Sequence, residues 1–234
     1  VMAVLLIPLF IAGGTPFTLA IYFISMLGLK EFLDIKNKKK ELPDFICFIS
    51  YIMMTLLIFF NASVGGNGEN VILTMDFRVI AGLFLIFLIP TVLYHDRERY
   101  SINDAFYLIG GIFFLGTSLS LFILLRAHGM NLLIYLLIIT IMTDTYAYLT
   151  GMLIGRHKLL ESISPKKTLE GTIGGTLFAV FTGVMFYHTV INPAISIWLL
   201  LIVTTFLSIV GQFGDLFFSA IKRYYGKKDF SNLI

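Results

Sequence analysis

Residues 131–150 read NLLIYLLIITIMTDTYAYLT, with one charged group, Asp144, near the far end. A helix of that length spans about 30 Å, the thickness of bilayer hydrocarbon. Further apolar runs fall at about 2–12, 16–29, 45–60, 79–94, 105–125, 172–190 and 194–218. The run at 45–60 is short and needs flanking residues to span. The first run reads as a helix whose beginning precedes Val1, since it has neither the basic flank nor the cleavage site of a signal peptide. Composition agrees: the 234 residues are 58% hydrophobic and 13% charged, about half the charged fraction of a soluble domain. Mean hydropathy is +0.91. Disordered, collagen-like and disulfide-stapled classes are excluded by the same figures, and the lone Cys47 has no partner for an internal disulfide. The chain reads as an all-α, polytopic integral membrane protein of about eight transmembrane helices.

The basic residues orient those helices. Lys30, Lys36, Lys38, Lys39 and Lys40 fall between the second and third runs, Arg97 and Arg99 between the fourth and fifth. Arg156, Lys158, Lys166 and Lys167 precede the seventh run, and Lys222, Arg223, Lys227 and Lys228 follow the eighth. These alternate segments hold 15 of the 17 basic residues, leaving Arg78 and Arg126 for the other side. By the positive-inside rule the basic side is cytoplasmic. Nucleic-acid binding gains nothing from these loops, because topology already explains them.

Residues suited to chemistry concentrate after position 130. The chain reads as one membrane domain, with N-terminal helices over 1–130 and the motif-bearing half over 131–234. A carboxylate inside a membrane helix is costly unless paired or hydrated, so Asp144 reads as lining a cytoplasm-facing cavity; a hydrogen bond within a helix contact is the alternative. Thr143, Ala147, Gly151 and Gly155 recur every four residues on its helix, and Gly171, Gly175, Ala179 and Gly183 do so on the next. Such small-residue strips let helices pack closely. Gly174-Gly175 lacks the Lys-Ser/Thr ending of a phosphate loop. Before that second helix, Ser164-Pro165-Lys166-Lys167-Thr168-Leu169-Glu170-Gly171 offers two ammonium groups and two hydroxyls beside a helix N-terminus, a setting that favours anions. On the last helix Ser208, Gly211, Gln212, Asp215, Ser219 and Lys222 follow at spacings of three and four, which makes one polar face. That face reads as lining a cavity, with Asp215 ~10 Å deeper than Lys222 and no cation four residues away to pair with it. A carboxylate at depth beneath cations suits a metal ion under a polyphosphate.

These residues resemble a known signature. Ser219, Lys222, Arg223, Lys228, Asp229 and Ser231 fit the pattern Ser-x-x-Lys-Arg-x4-Lys-Asp-x-Ser/Gly of the phosphatidate cytidylyltransferases, the CDP-diacylglycerol synthases. Asp144-x-x-Ala147-Tyr148, Gly155-Arg156 and the 164–171 element also resemble family elements, in the expected order. The resemblance implies transfer of a cytidylyl group from CTP to phosphatidate, giving CDP-diacylglycerol and pyrophosphate. It implies catalytic roles for Asp215, Lys222, Arg223 and Lys167. Substrate contacts would come from Asp144, Ser164, Lys166, Lys167, Thr168, Ser219, Lys222, Arg223, Lys228 and Asp229. Mg²⁺ is implied on Asp215, with room for a second cation it does not identify. It implies an active site on the cytoplasmic face of the inner membrane, and is compatible with a homodimer. The family pattern continues with Pro-Gly-His-Gly-Gly, Asp-Arg-x-Asp and one further helix, expected beyond Ile234. Two rival functions share parts of the pattern. A CTP-dependent lipid kinase would consume CTP without forming a CDP-lipid, and a transporter would show pseudo-symmetric halves, whereas the motifs here lie almost wholly in the second half.

Overall fold

The computed structural model describes residues 8–37, 40–64, 77–94 and 99–226, without the side chains of 60–64 and 77. The start of the first apolar run, Lys38, Lys39, Asn67, Arg97, Lys227, Lys228, Asp229 and Ser231 lie outside the described residues.

Within the described residues the apolar runs become helices. Residues 8–12 form a short helical turn, followed by α1 (Gly14–Asn37), α2 (Asp44–Val64), α3 (Phe77–Leu93), α4 (Ile102–His128) and α5 (Met130–Ile154). A two-stranded hairpin, β1 (Lys158–Leu160) and β2 (Ser164–Thr168), leads into α6 (Leu169–Phe186), a π-helical turn (Tyr187–Ile191) and α7 (Ile197–Tyr224). Among the described residues, α1, α4, α5, α6 with its π turn, and α7 are long and apolar enough to cross a membrane, and α2 and α3 carry shorter apolar stretches. The 28 residues of α7 extend about 42 Å, so this helix outreaches the hydrocarbon. Its outer face stays apolar and exposed, through Ile202, Phe206, Phe213 and Phe217, as lipid contact requires. The chain is an all-α membrane protein; the hairpin is a local departure within a segment whose sequence reads as a loop.

Two compact units divide the described chain, one ending at Met130 and the other beginning at Asn131. In the first, Leu29, Ile46, Met54, Leu83, Phe87, Leu108 and Ile112 form the buried core. Ser101 and Asp104 start α4 with a reciprocal capping box, which satisfies amides that a helix start otherwise leaves unpaired. Asp104 is 2% exposed and binds Lys36 at 2.5 Å and Lys40 at 2.6 Å. The two lysines sit at the end of α1 and just beyond it, so the pair of charges ties α1 to α4.

The second unit rests on its small residues. A Cβ on Gly171 would meet the Ala147 carbonyl oxygen at 2.6 Å, and one on Gly175 would meet that of Thr143 at 2.5 Å. The two strips therefore face each other, and α5 and α6 approach to backbone contact. Tyr146 stacks on Phe178 at 4.0 Å beside that seam. α7 closes the unit through a ladder of hydrogen bonds. Tyr135 meets Thr204 at 2.6 Å, Thr143 meets Ser208 at 2.8 Å, and Gln212 Nε2 donates to Thr176 Oγ1 at 2.9 Å. This corrects one expectation. The Ser208 end of the polar face of α7 is not cavity wall: Ser208, like Thr204 one turn before it, is buried because α5 and α6 carry hydroxyls at matching heights.

Candidate active site

The site is built around the hairpin. β1 and β2 are antiparallel, pairing Lys158 with Thr168 and Leu160 with Ser164. Pro165 is tolerated in β2 because a two-stranded ribbon has free edges where no N–H is needed. The base is closed by Leu169 N donating to His157 O at 2.9 Å. Glu170 reinforces it: its carboxylate accepts the backbone N–H of Arg156 at 3.1 Å and of His157 at 3.2 Å, with His157 Nδ1 at 2.6 Å. The turn is held from the other side, where Arg223 Nε donates to Ile163 O at 3.2 Å. Thr168 ends β2 in extended geometry and caps α6, its hydroxyl accepting from Gly171 N at 3.1 Å. A cap of this kind is worth about 1 kcal/mol.

Pinned this way, β2 delivers its lysines over a cavity of about 360 Å³. α5 contributes Asp144, Ala147, Tyr148, Gly151 and Met152; the hairpin and α6 contribute Lys166, Lys167, Thr168, Gly171 and Thr172; α7 contributes Gln212 and Asp215. Lys167 Nζ lies 2.5 Å from Asp215 Oδ2, at exposures of 27% and 56%. Both charges also act on Asp144. Two carboxylates and two ammonium groups thus share one open space and balance in formal charge. Tyr148 and Met152 are largely exposed, so the wall on the α5 side is apolar and open.

Of the expected site residues, Asp144, Lys166, Lys167, Thr168 and Asp215 line this cavity together. Ser164 stands at the far end of β2. Ser219, Lys222 and Arg223 lie on the last two turns of α7 and are not among its lining residues. Lys228 and Asp229 fall outside the described residues. The premise that Asp215 is buried and unpaired is overturned, because its cation comes from the hairpin rather than from its own helix. Gln212 lines the cavity as the polar face of α7 predicts, whereas Thr172 joins the wall with neither that face nor the motifs marking it. Glu170 is part of the 164–171 element, yet its hold on residues 156 and 157 has no local sequence signal.

The donor set bears on Mg²⁺. Among the described residues no three His, Cys, Asp or Glu side chains gather as a metal cage. Mg²⁺ prefers oxygen ligands and is commonly held by one or two carboxylates plus substrate phosphates. Asp144 and Asp215 line one cavity and fit that shared arrangement: they would hold the ion, and a bound nucleotide would supply further oxygens.

The profile of the cytidylyltransferase family matches residues 1–234. The chain is 33% identical over 230 residues to a phosphatidate cytidylyltransferase of Staphylococcus haemolyticus, covering 97% of this chain and 84% of that protein. A Staphylococcus epidermidis protein of the same name is 31% identical over 229 residues, covering 97% and 84%. One from Staphylococcus aureus is 31% identical over 233 residues, covering 99% and 85%.

Proposed function

The chain belongs to the cytidylyltransferase family, and from that premise we propose how its cavity carries out the reaction. The protein transfers a cytidylyl group from CTP to phosphatidate, forming CDP-diacylglycerol and pyrophosphate. Phosphatidate brings an ionised phosphate oxygen, so no strong general base is needed. What the site must supply is charge neutralisation and alignment of that oxygen with the α-phosphorus. The carrying observation is the pair of carboxylates, Asp144 and Asp215, with Lys167 between strand and helix in one cavity. Mg²⁺ on Asp215, with Asp144 facing the same space, supplies neutralisation of the phosphate oxygens when bound. Lys166 and Lys167 hold phosphate oxygens from the strand side. Arg223 acts through the hairpin, since its hold on Ile163 keeps β2 over the cavity. The open wall at Tyr148 and Met152 lets the acyl chains remain in the bilayer while CTP enters from water.

Loss of one charge-assisted hydrogen bond costs about 1.5–3 kcal/mol. Lys167→Ala is therefore expected to lower kcat/KM roughly 10- to 150-fold while the protein stays folded. Activity within twofold of wild type would leave the loop lysines a topological role only.

The distribution of basic residues supports eight crossings with this cavity on the cytoplasmic side. In a Cys47→Ser background, a membrane-impermeant thiol reagent applied to intact cells is expected to label a cysteine at position 67 and to spare those at 38 and 166. Labelling of all three would overturn the arrangement.

A further inference from the structure

We propose that Lys167 is an exchangeable counter-ion that makes the cavity selective for the divalent cation and triphosphate arriving together, over the free cation. The inference rests on the reading of Asp215 as the cation ligand. The ammonium of Lys167 lies 2.5 Å from Asp215 Oδ2, so a divalent ion placed on this carboxylate meets an ammonium already bound to it. A free divalent ion must therefore either displace the ammonium or sit beside it on the other oxygen, and in both cases a like-charge arrangement raises its cost. A triphosphate removes the cost, because its oxygens accept the displaced ammonium while the cation takes the carboxylates.

The architecture permits this exchange. Lys167 is on β2 and Asp215 on α7, so a rotation of the lysine's flexible four-carbon stem separates them without shifting either element. The hairpin itself stays fixed, tied at its base by Glu170 and at its turn by Arg223. Asp144 faces the same cavity from α5, so the lysine also screens the repulsion between two carboxylates before substrate arrives. By linkage, cation and nucleotide then each raise the other's affinity by one common factor, and Lys167 supplies part of it.

The test is Mn²⁺ binding, read by electron paramagnetic resonance on purified protein in detergent, with and without a non-hydrolysable CTP analogue. Without nucleotide, Lys167→Met is expected to tighten Mn²⁺ binding about three- to tenfold, the range for a partly exposed charge pair and its removed repulsion. Lys167→Arg, which keeps the charge, is expected to stay within twofold of wild type. The tightening of Mn²⁺ by the analogue is expected to be smaller in Lys167→Met than in wild type. Unchanged or weaker Mn²⁺ binding in Lys167→Met, or equal tightening in Lys167→Arg, would overturn the counter-ion role. Asp215→Asn separates the two readings: if it leaves Mn²⁺ binding unchanged, the assignment of Asp215 fails first. If it weakens binding while Lys167→Met has no effect, the assignment stands and the inference falls.

Discussion

Gly175→Leu is expected to unfold the motif-bearing unit or to lower its melting temperature by at least about 6–12 °C. A Cβ at this position meets the Thr143 carbonyl oxygen at 2.5 Å and the Ala147 backbone nitrogen at 3.0 Å. Both are backbone atoms of α5, which cannot turn aside as a side chain can. The helices must separate, opening the seam along which Thr143 meets Ser208 and Tyr146 stacks on Phe178. Overpacking a tight site costs 1–3 kcal/mol where side chains can yield, so roughly 3 kcal/mol is a lower bound here, equivalent to the stated shift for a chain of this size. Gly211→Leu is the control. It lies on α7, with nothing within 4 Å of its Cβ direction, and is expected to melt like wild type. Thermal unfolding in detergent compares the two, and equal melting temperatures would contradict the close α5–α6 contact.

That contact was legible in the sequence. Glycines and alanines four residues apart announce a strip wherever the helix is certain, and apolar runs made these helices certain. Asp144 beside its strip, and Lys166 and Lys167 ahead of the next, likewise fall where the motifs place them. Other features depend on partners that spacing does not reveal. Asp215 looks unpaired along α7 because Gly211 and Ser219 are its neighbours at four residues, yet Lys167 reaches it from a strand 48 positions earlier in the chain. Ser208 looks like cavity wall until Thr143 is seen to meet it. The hairpin left almost no trace, since β1 has three residues and β2 contains a proline and two lysines. Its shape comes from Glu170 and Arg223, each acting on backbone groups that any sequence would carry.

The pairing of Lys167 with Asp215 sharpens the remaining prediction. An ion pair this exposed contributes little to stability, at most about 1 kcal/mol, so Asp215→Asn is expected to fold and melt like wild type. Catalysis is another matter. Asn keeps the shape of the side chain and removes the charge needed to hold Mg²⁺, and a metal's neutralisation of a phosphoryl centre is worth several kcal/mol. A loss of about 4 kcal/mol is close to a thousandfold in rate. Gln212 and Thr172, on the same wall, offer no charge in its place.

The most direct measurement is CDP-diacylglycerol formation from labelled CTP and phosphatidate, followed across a Mg²⁺ titration for wild type and Asp215→Asn in the same detergent. The account predicts saturable, Mg²⁺-dependent product formation in wild type and a loss of roughly a thousandfold or more in the variant, not restored by excess Mg²⁺. Wild-type turnover in Asp215→Asn, with the same Mg²⁺ dependence, would contradict the central claim that this carboxylate holds the cation at the reacting phosphates.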